Sequence, residues 1–176
     1  GEEFFRWLVK YLAKTLDTAY SLVGFWDPRN PAKVTTIAAY CRGEFLDNFE
    51  YDLHGTPCEG VLGGGSFCYP ARVQEFFPED HLLAEMGAQC YAGATMRDSE
   101  GIPMGIVAVL DTRPRDAVEL KEPVLRIFAI RAATELERLR TERSLRASEA
   151  RARQQCAELD AIYQNAPVGL CVLDPE

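Results

Sequence analysis

Apolar residues recur at helical spacing near the start of the chain. Phe5, Leu8, Leu12 and Leu16 form one stripe that Val9 and Ala13 widen, which predicts an amphipathic helix over residues 3–16. Trp7 and Tyr11 lie on a second face, so the helix is expected to be covered twice, by a sheet and by another helix; the alternative is a pair of ordinary exposed aromatics. From Ala19 to Trp26 apolar side chains occupy both alternating faces, the mark of a central strand buried on two sides. Asp27, Pro28, Asn30 and Pro31 make a turn. Val34–Arg42 and Phe45–Leu53 then read as a hairpin across Gly43. In its second strand Phe45, Phe49, Tyr51 and Leu53 share one dry face. Pro78–Met86 is predicted as a short helix with Glu79 and Asp80 in its first turn and Gly87 beyond its end. Cys90–Met96 and Pro103–Leu110 form a second hairpin about the Asp98–Gly101 turn. From Pro123 the helical period returns without a breaker until Pro167, giving roughly 40 residues and ~60 Å of helix. Leu125, Phe128, Ala132, Leu136 and Leu139 make one seam, expected to pack with the first helix. Leu145, Ala152, Cys156, Leu159 and Tyr163 make another at heptad a/d spacing, with Glu149 intruding. Beside a second copy in parallel this stripe would be buried as a two-stranded coiled coil; the alternative is a solitary solvated helix. The pattern as a whole is α+β, with five or six strands in a mainly antiparallel sheet and helices before, between and after them.

Between the two hairpins lies Gly55–Pro70. Thr56, Pro57 and Glu59 have the form of a capping box with proline at the first helical position, so a short helix is predicted to begin there. Gly63, Gly64 and Gly65 are expected to end it, and Ser66–Tyr69 to follow as a brief strand stopped by Pro70.

The chain has 176 residues, 47% of them hydrophobic, enough for one compact domain with an extension. Its formal charge is -8. Residues 120–163 hold nine Lys and Arg against seven Asp and Glu, leaving ten basic and twenty acidic residues elsewhere. Such a surface repels polyanions, which argues against nucleic acid and anionic membrane as partners. The longest apolar run, Met104–Leu110, falls far short of the ~20 residues that span a bilayer. Six cysteines, at 41, 58, 68, 90, 156 and 171, form no CxxC pair, which points to a reduced, cytoplasmic protein.

Cys58 is the residue with the most chemical promise. As the second residue of a helix its thiolate would be favoured by the backbone amides, while adjacent Glu59 opposes this; the other reading is a small apolar residue packed under the loop. His54 and Cys58 are four apart, but His81 is the only other histidine, so no metal or haem site is predicted. No nucleophile, base and orienting group stand together as a catalytic trio, and no enzymatic activity is predicted for this chain.

The stretch GTPCEGVLGGGSFCYP, followed by VQEFFPEDHLLAEMGAQCYAGATMRDSEGIPMGIVAVLD and RIFAIRAATELERLR, resembles a GAF domain of bacterial histidine kinases and diguanylate cyclases over about residues 3–140. LDAIYQNAPVGLCVLDPE resembles the first helix and strand of a PAS domain. The resemblance implies a six-stranded GAF-like sheet flanked by helices, divided as a sensor core over 1–121, a long signalling helix over 122–164 and the opening of a PAS domain over 165–176. It also implies a fragment of a multidomain signalling protein whose output is a kinase or a cyclase. By the same resemblance the ligand-binding residues are Tyr40, Cys58, Phe67, Tyr69, Tyr91 and Thr95, for a small molecule or cofactor that the sequence does not identify. The Cys-His dipeptide of bilin-attaching GAF domains and the residue set of cyclic-nucleotide-binding ones are not found. Three readings stand. One is a ligand-gated module acting through a homodimer of the N-terminal and long C-terminal helices. The second is a dimerisation module whose pocket is filled by its own aromatics. The third is a cysteine-based redox sensor, with Cys58 and Cys68 close enough to bridge, or a methionine sulfoxide reductase-like enzyme using Cys58, Cys68 and Cys90.

Overall fold

The computed structural model describes residues 1–117 and 120–165. By contacts the chain divides into two units, residues 1–137 and 138–176. The expected PAS opening falls almost wholly on residues 166–176, outside the described residues.

The first helix, α1 (Glu2–Leu16), buries the predicted stripe of Phe5, Leu8, Val9, Leu12, Ala13 and Leu16. It ends at Asp17, left-handed at φ 51°, whose N–H bonds to the Ala13 carbonyl. Strands β1 (Tyr20–Asp27), β2 (Asn30–Cys41), β3 (Glu44–Leu46) and β4 (Glu50–Asp52) follow. Then come α2 (Pro57–Gly64), β5 (Ser66–Tyr69), α3 (Val73–Phe76), α4 (His81–Glu85), β6 (Cys90–Arg97), β7 (Pro103–Asp111) and α5 (Glu122–Asn165). The strands form one sheet in the order β3-β2-β1-β7-β6-β5, with β4 also on β2, and every pairing is antiparallel.

Register assigns the faces. Leu22 lies opposite Ala39 and Ala108, and that row continues through Gly93 to Phe67. The next row is Tyr40, Ser21, Val109, Ala92 and Cys68. Ser21 Oγ donates to the Val9 carbonyl at 2.7 Å, so this second row faces α1. The start of α5 lies on the same side, because Ser66, two residues from Cys68 along β5 and so on the same face, bonds to Glu122. The first row faces α2, α3 and α4.

Among the described residues seven strands stand where six were expected, because the segment predicted as one strand over 45–53 is two. Thr36 Oγ1 accepts the Phe49 N–H at 2.7 Å while the Thr36 N–H donates to the Phe49 carbonyl at 2.9 Å, and the β1–β2 register shifts between Val23 and Gly24. The interruption changes which side the residues face. Phe45 packs on Tyr40 and under Arg6 of α1, whereas Phe49, Tyr51 and Leu53 join the core on the opposite face.

Three other elements differ from expectation. Gly63 and Gly64 are helical, and Gly65 alone, at φ 109°, ends α2. The helix predicted over Pro78–Met86 shrinks to α4, because Asp80 caps it, accepting from the N–H groups of Leu82 and Leu83; α3 has no counterpart in the prediction. The buried stripe of α5 is Leu125, Ala129, Ala132 and Ala133, with Phe128, Leu136 and Leu139 half-buried. A second helix covers Trp7 and Tyr11 only in part. They stack on each other at 4.9 Å, Tyr11 reaches Phe128 at 6.3 Å, and they remain 57% and 51% exposed.

Candidate functional site

On the face away from α1, the short helices roof a core in which polar groups meet. Tyr51 comes from β4, Cys58 from the first turn of α2 and Tyr91 from β6. The Tyr51 hydroxyl donates to Cys58 Sγ at 3.3 Å, and Tyr91 Oη lies 3.2 Å from the same sulfur. Each side chain reaches this point for a local reason. Pro57 at the first helical position starts α2 there. Tyr91 can lean along the sheet because its neighbour on that face is Gly93, where a Cβ would come within 2.4 Å of the tyrosine oxygen. Tyr51 is held by pairing of β4 with Val34.

The capping box forms only in part. Thr56 Oγ1 donates to the Leu53 carbonyl at 2.7 Å and does not cap α2, because the turn before the helix brings that carbonyl to it. Glu59 does reach back, to the Gly55 N–H at 3.1 Å and to His54 Nδ1 at 3.3 Å. The Gly55 N–H, and then His54, hold the Glu59 carboxyl below its ordinary range. His54 is exposed and turned to Glu59 while Cys58 is buried with the tyrosines, so the two are not brought together. Among the described residues no group of three or more His, Cys, Asp and Glu is placed to hold a metal ion.

Beside the trio is a cavity of about 30 Å³, lined by Leu22, Phe49, Tyr51, Cys58, Asp80, Leu83, Met86 and Tyr91 among others. That is room for about one water-sized molecule. Burial pushes the Cys58 thiol up, against the opposing pull of the Tyr51 and Tyr91 hydrogen bonds. Both tyrosines are raised well above their ordinary value, first by burial and then by the sulfur. Burial also raises Asp80, although its bonds from Leu83 and Leu82 oppose the shift. All four groups are therefore biased towards their neutral forms, which disfavours a nucleophilic thiolate.

Of the residues singled out by resemblance, Cys58, Phe67, Tyr69, Tyr91 and Thr95 lie on this face. Phe67 covers Gly60 and Gly64 of α2; Tyr69 stands 6.4 Å from Tyr91, ring to ring. Thr95 Oγ1 donates to the carbonyls of Val61 and Gly65, fastening the end of α2. Tyr40 lies on the α1 face and is not brought together with the other five. Tyr51 and Asp80 belong to the site without having been singled out; the alternation over 45–53 and an aspartate just before a helix were their signals.

Cys58 and Cys68 occupy opposite faces of the sheet, so the expected bridge between them would have to pass through it. Cys68 and Cys90 share the α1 face. Burial raises both thiols, Cys68 with help from Glu122 and Cys90 to about 11. The described cysteines are all free.

No family model matches the chain, and no curated protein matches it. Solved structures do resemble it. The blue-light absorbing form of the PixJ GAF domain of Thermosynechococcus elongatus superimposes with a TM-score of 0.56 at 15% identity, over 83% of this chain and 92% of that one. A domain of a putative two-component sensor histidine kinase protein from Sinorhizobium meliloti gives 0.59 at 12% identity, over 82% and 97%. The chain spans about half, 53%, of the chromophore binding domain of Stigmatella aurantiaca phytochrome P1, with 76% of its own length matched, a TM-score of 0.57 and 10% identity. At such identities the likeness concerns the fold alone: the chain has a GAF-like fold, an antiparallel sheet flanked by helices with a long helix at its C-terminal end.

Proposed function

We propose that the chain is a regulatory sensory module, in which a change at the cavity face biases the pairing of two copies along their helices and an output domain of kinase or cyclase type reads the difference. The observation that carries this reading is the small cavity against the Tyr51–Cys58–Tyr91 trio, on a fold shared with photoreceptor and sensor-kinase domains. Its size limits the cue. A ligand larger than one or two heavy atoms enters only by displacing α4 or a tyrosine ring, and so distinguishes two conformations. That differential affinity is what a switch requires, since equal binding to both states shifts nothing.

Apolar surface left over in each unit supports pairing of copies. In the first unit Trp7, Tyr11, Ile127 and Ile130 are exposed; in the second Leu145 and Leu159, at heptad spacing, are 59% and 54% exposed. Among the described residues no helix is long and apolar enough to cross a membrane, so a second copy is the partner proposed for these side chains. Native mass spectrometry of the purified chain, with an absorption spectrum beside it, tests the reading by reporting subunit number and any retained molecule together. Twice the chain mass is expected. A strictly monomeric protein at high concentration would contradict the proposal.

A further inference from the structure

The four residues of β5 touch both sides of the molecule. Phe67 and Tyr69 face α2 and Tyr91, on the cavity side. Ser66 and Cys68 face the α1 side, where the first turn of α5 lies. Ser66 Oγ donates to Glu122 Oε1 at 2.8 Å and accepts from Arg126 Nε at 3.1 Å, while Arg126 Nη2 closes the triangle on Glu122 at 2.7 Å. Both parts joined by this clasp begin at a left-handed residue. Gly65, at φ 109°, precedes β5, and Lys121, at φ 40°, precedes α5. A non-glycine residue is seldom held there, so the start of α5 is fixed by its surroundings more than by its own preference.

We infer that β5 is the element coupling the cavity to the exit helix, with Ser66, Glu122 and Arg126 as positioning residues that fasten the first turn of α5 to that strand. Tyr91, Phe67 and the end of α2 set where β5 lies, through Thr95 and the ring contacts. The clasp makes the first turn of α5 follow. The inference rests on the sensory reading for its purpose, but its test needs no ligand, because the cavity is perturbed by substitution.

The test is hydrogen–deuterium exchange on the full chain, with Cys58→Ala to enlarge the cavity and Tyr91→Phe as a milder, shape-preserving perturbation. Either is expected to speed exchange over residues 64–69 and, by roughly threefold, over 122–129, within the range of coupling through a packed network. Adding Ser66→Ala should abolish the change over 122–129 and leave that over 64–69. A change confined to 64–69 while Ser66 is intact overturns the inference. So does a change over 122–129 that survives Ser66→Ala. If coupling is found in a chain that mass spectrometry reports as monomeric, the dimeric sensory reading fails and the coupling stands.

Discussion

One face of the sheet is covered by the long helix α1 with the start of α5 beside it, the other by three short helices, and the two covers differ in how they are held. On the α1 face, a 15-residue helix presents six buried apolar residues in register with the strands. On the other face, α2, α3 and α4 have eight, four and five residues and each adds only a few side chains, Cys58, Val61 and Leu62, Val73, and Leu83, to the apolar core there. They are held by particular bonds: Thr95 to the end of α2, Asp80 to the start of α4, the Tyr20 hydroxyl to the Met86 carbonyl at 3.1 Å, and two tyrosines to one thiol. A face covered by one long helix opens only when that whole helix leaves, whereas short segments that each bury a few side chains and rest on a bond or two can open locally, one at a time. That is the property the proposed sensory reading requires.

The largest effect should therefore follow damage to the α1 face. Leu12→Ala, at a fully buried position, is expected to cost about 3–4 kcal/mol in urea denaturation. Leu83→Ala beside the cavity should cost less, because the short helix carrying it can settle into the space. Equal costs would erase the contrast.

Asp111 sharpens the comparison at low pH. It lies on the α1 face, where burial would raise its carboxyl, yet bonds from Arg113 and Arg115 outweigh that and hold it low. Arg115 also binds Asp17, the cap of α1, so the network ties the end of that helix to β7. A carboxyl with a depressed folded-state value adds stability above the unfolded value of about 3.9 and loses it as pH falls through the folded value. Asp111→Asn is expected to cost about 2–3 kcal/mol at neutral pH, and the gap to wild type should close under acid. A gap independent of pH would mean that the charge contributes nothing.

The smallest effect belongs to the cavity face. Tyr91→Phe removes one hydrogen bond to Cys58 and should cost about 1 kcal/mol. Because that bond lowers the thiol, its loss should raise Cys58 further and slow its alkylation. Faster alkylation without loss of stability would show that the ring, not the hydroxyl, guards the sulfur.

Legibility in the sequence followed the same division. The stripe of α1 and the runs of β1, β6 and β7 could be read because local periodicity and tertiary burial agree there. The break at 47–49 could not, since it depends on Thr36 and on a register shift between two strands distant in sequence from it. Cys58 and Tyr91 were picked out by resemblance, and Tyr51 lay on a predicted dry face. Their meeting required β4 to pair with β2 and β6 to lie beneath α2, which no local pattern records. Conversely, the capping box was written plainly at Thr56–Glu59, and only its glutamate half formed.

Cys156 offers the most direct test of whether two copies pair in parallel through their long helices. It is exposed and stands four residues after Ala152 and three before Leu159, on the heptad stripe, so in a parallel, in-register pair it faces its counterpart. The chain carrying Cys171→Ser, oxidised with copper phenanthroline and run on a non-reducing gel, should give a dimer band that disappears when Cys156→Ser is added. A chain that stays monomeric, or a dimer band indifferent to Cys156→Ser, would contradict the account.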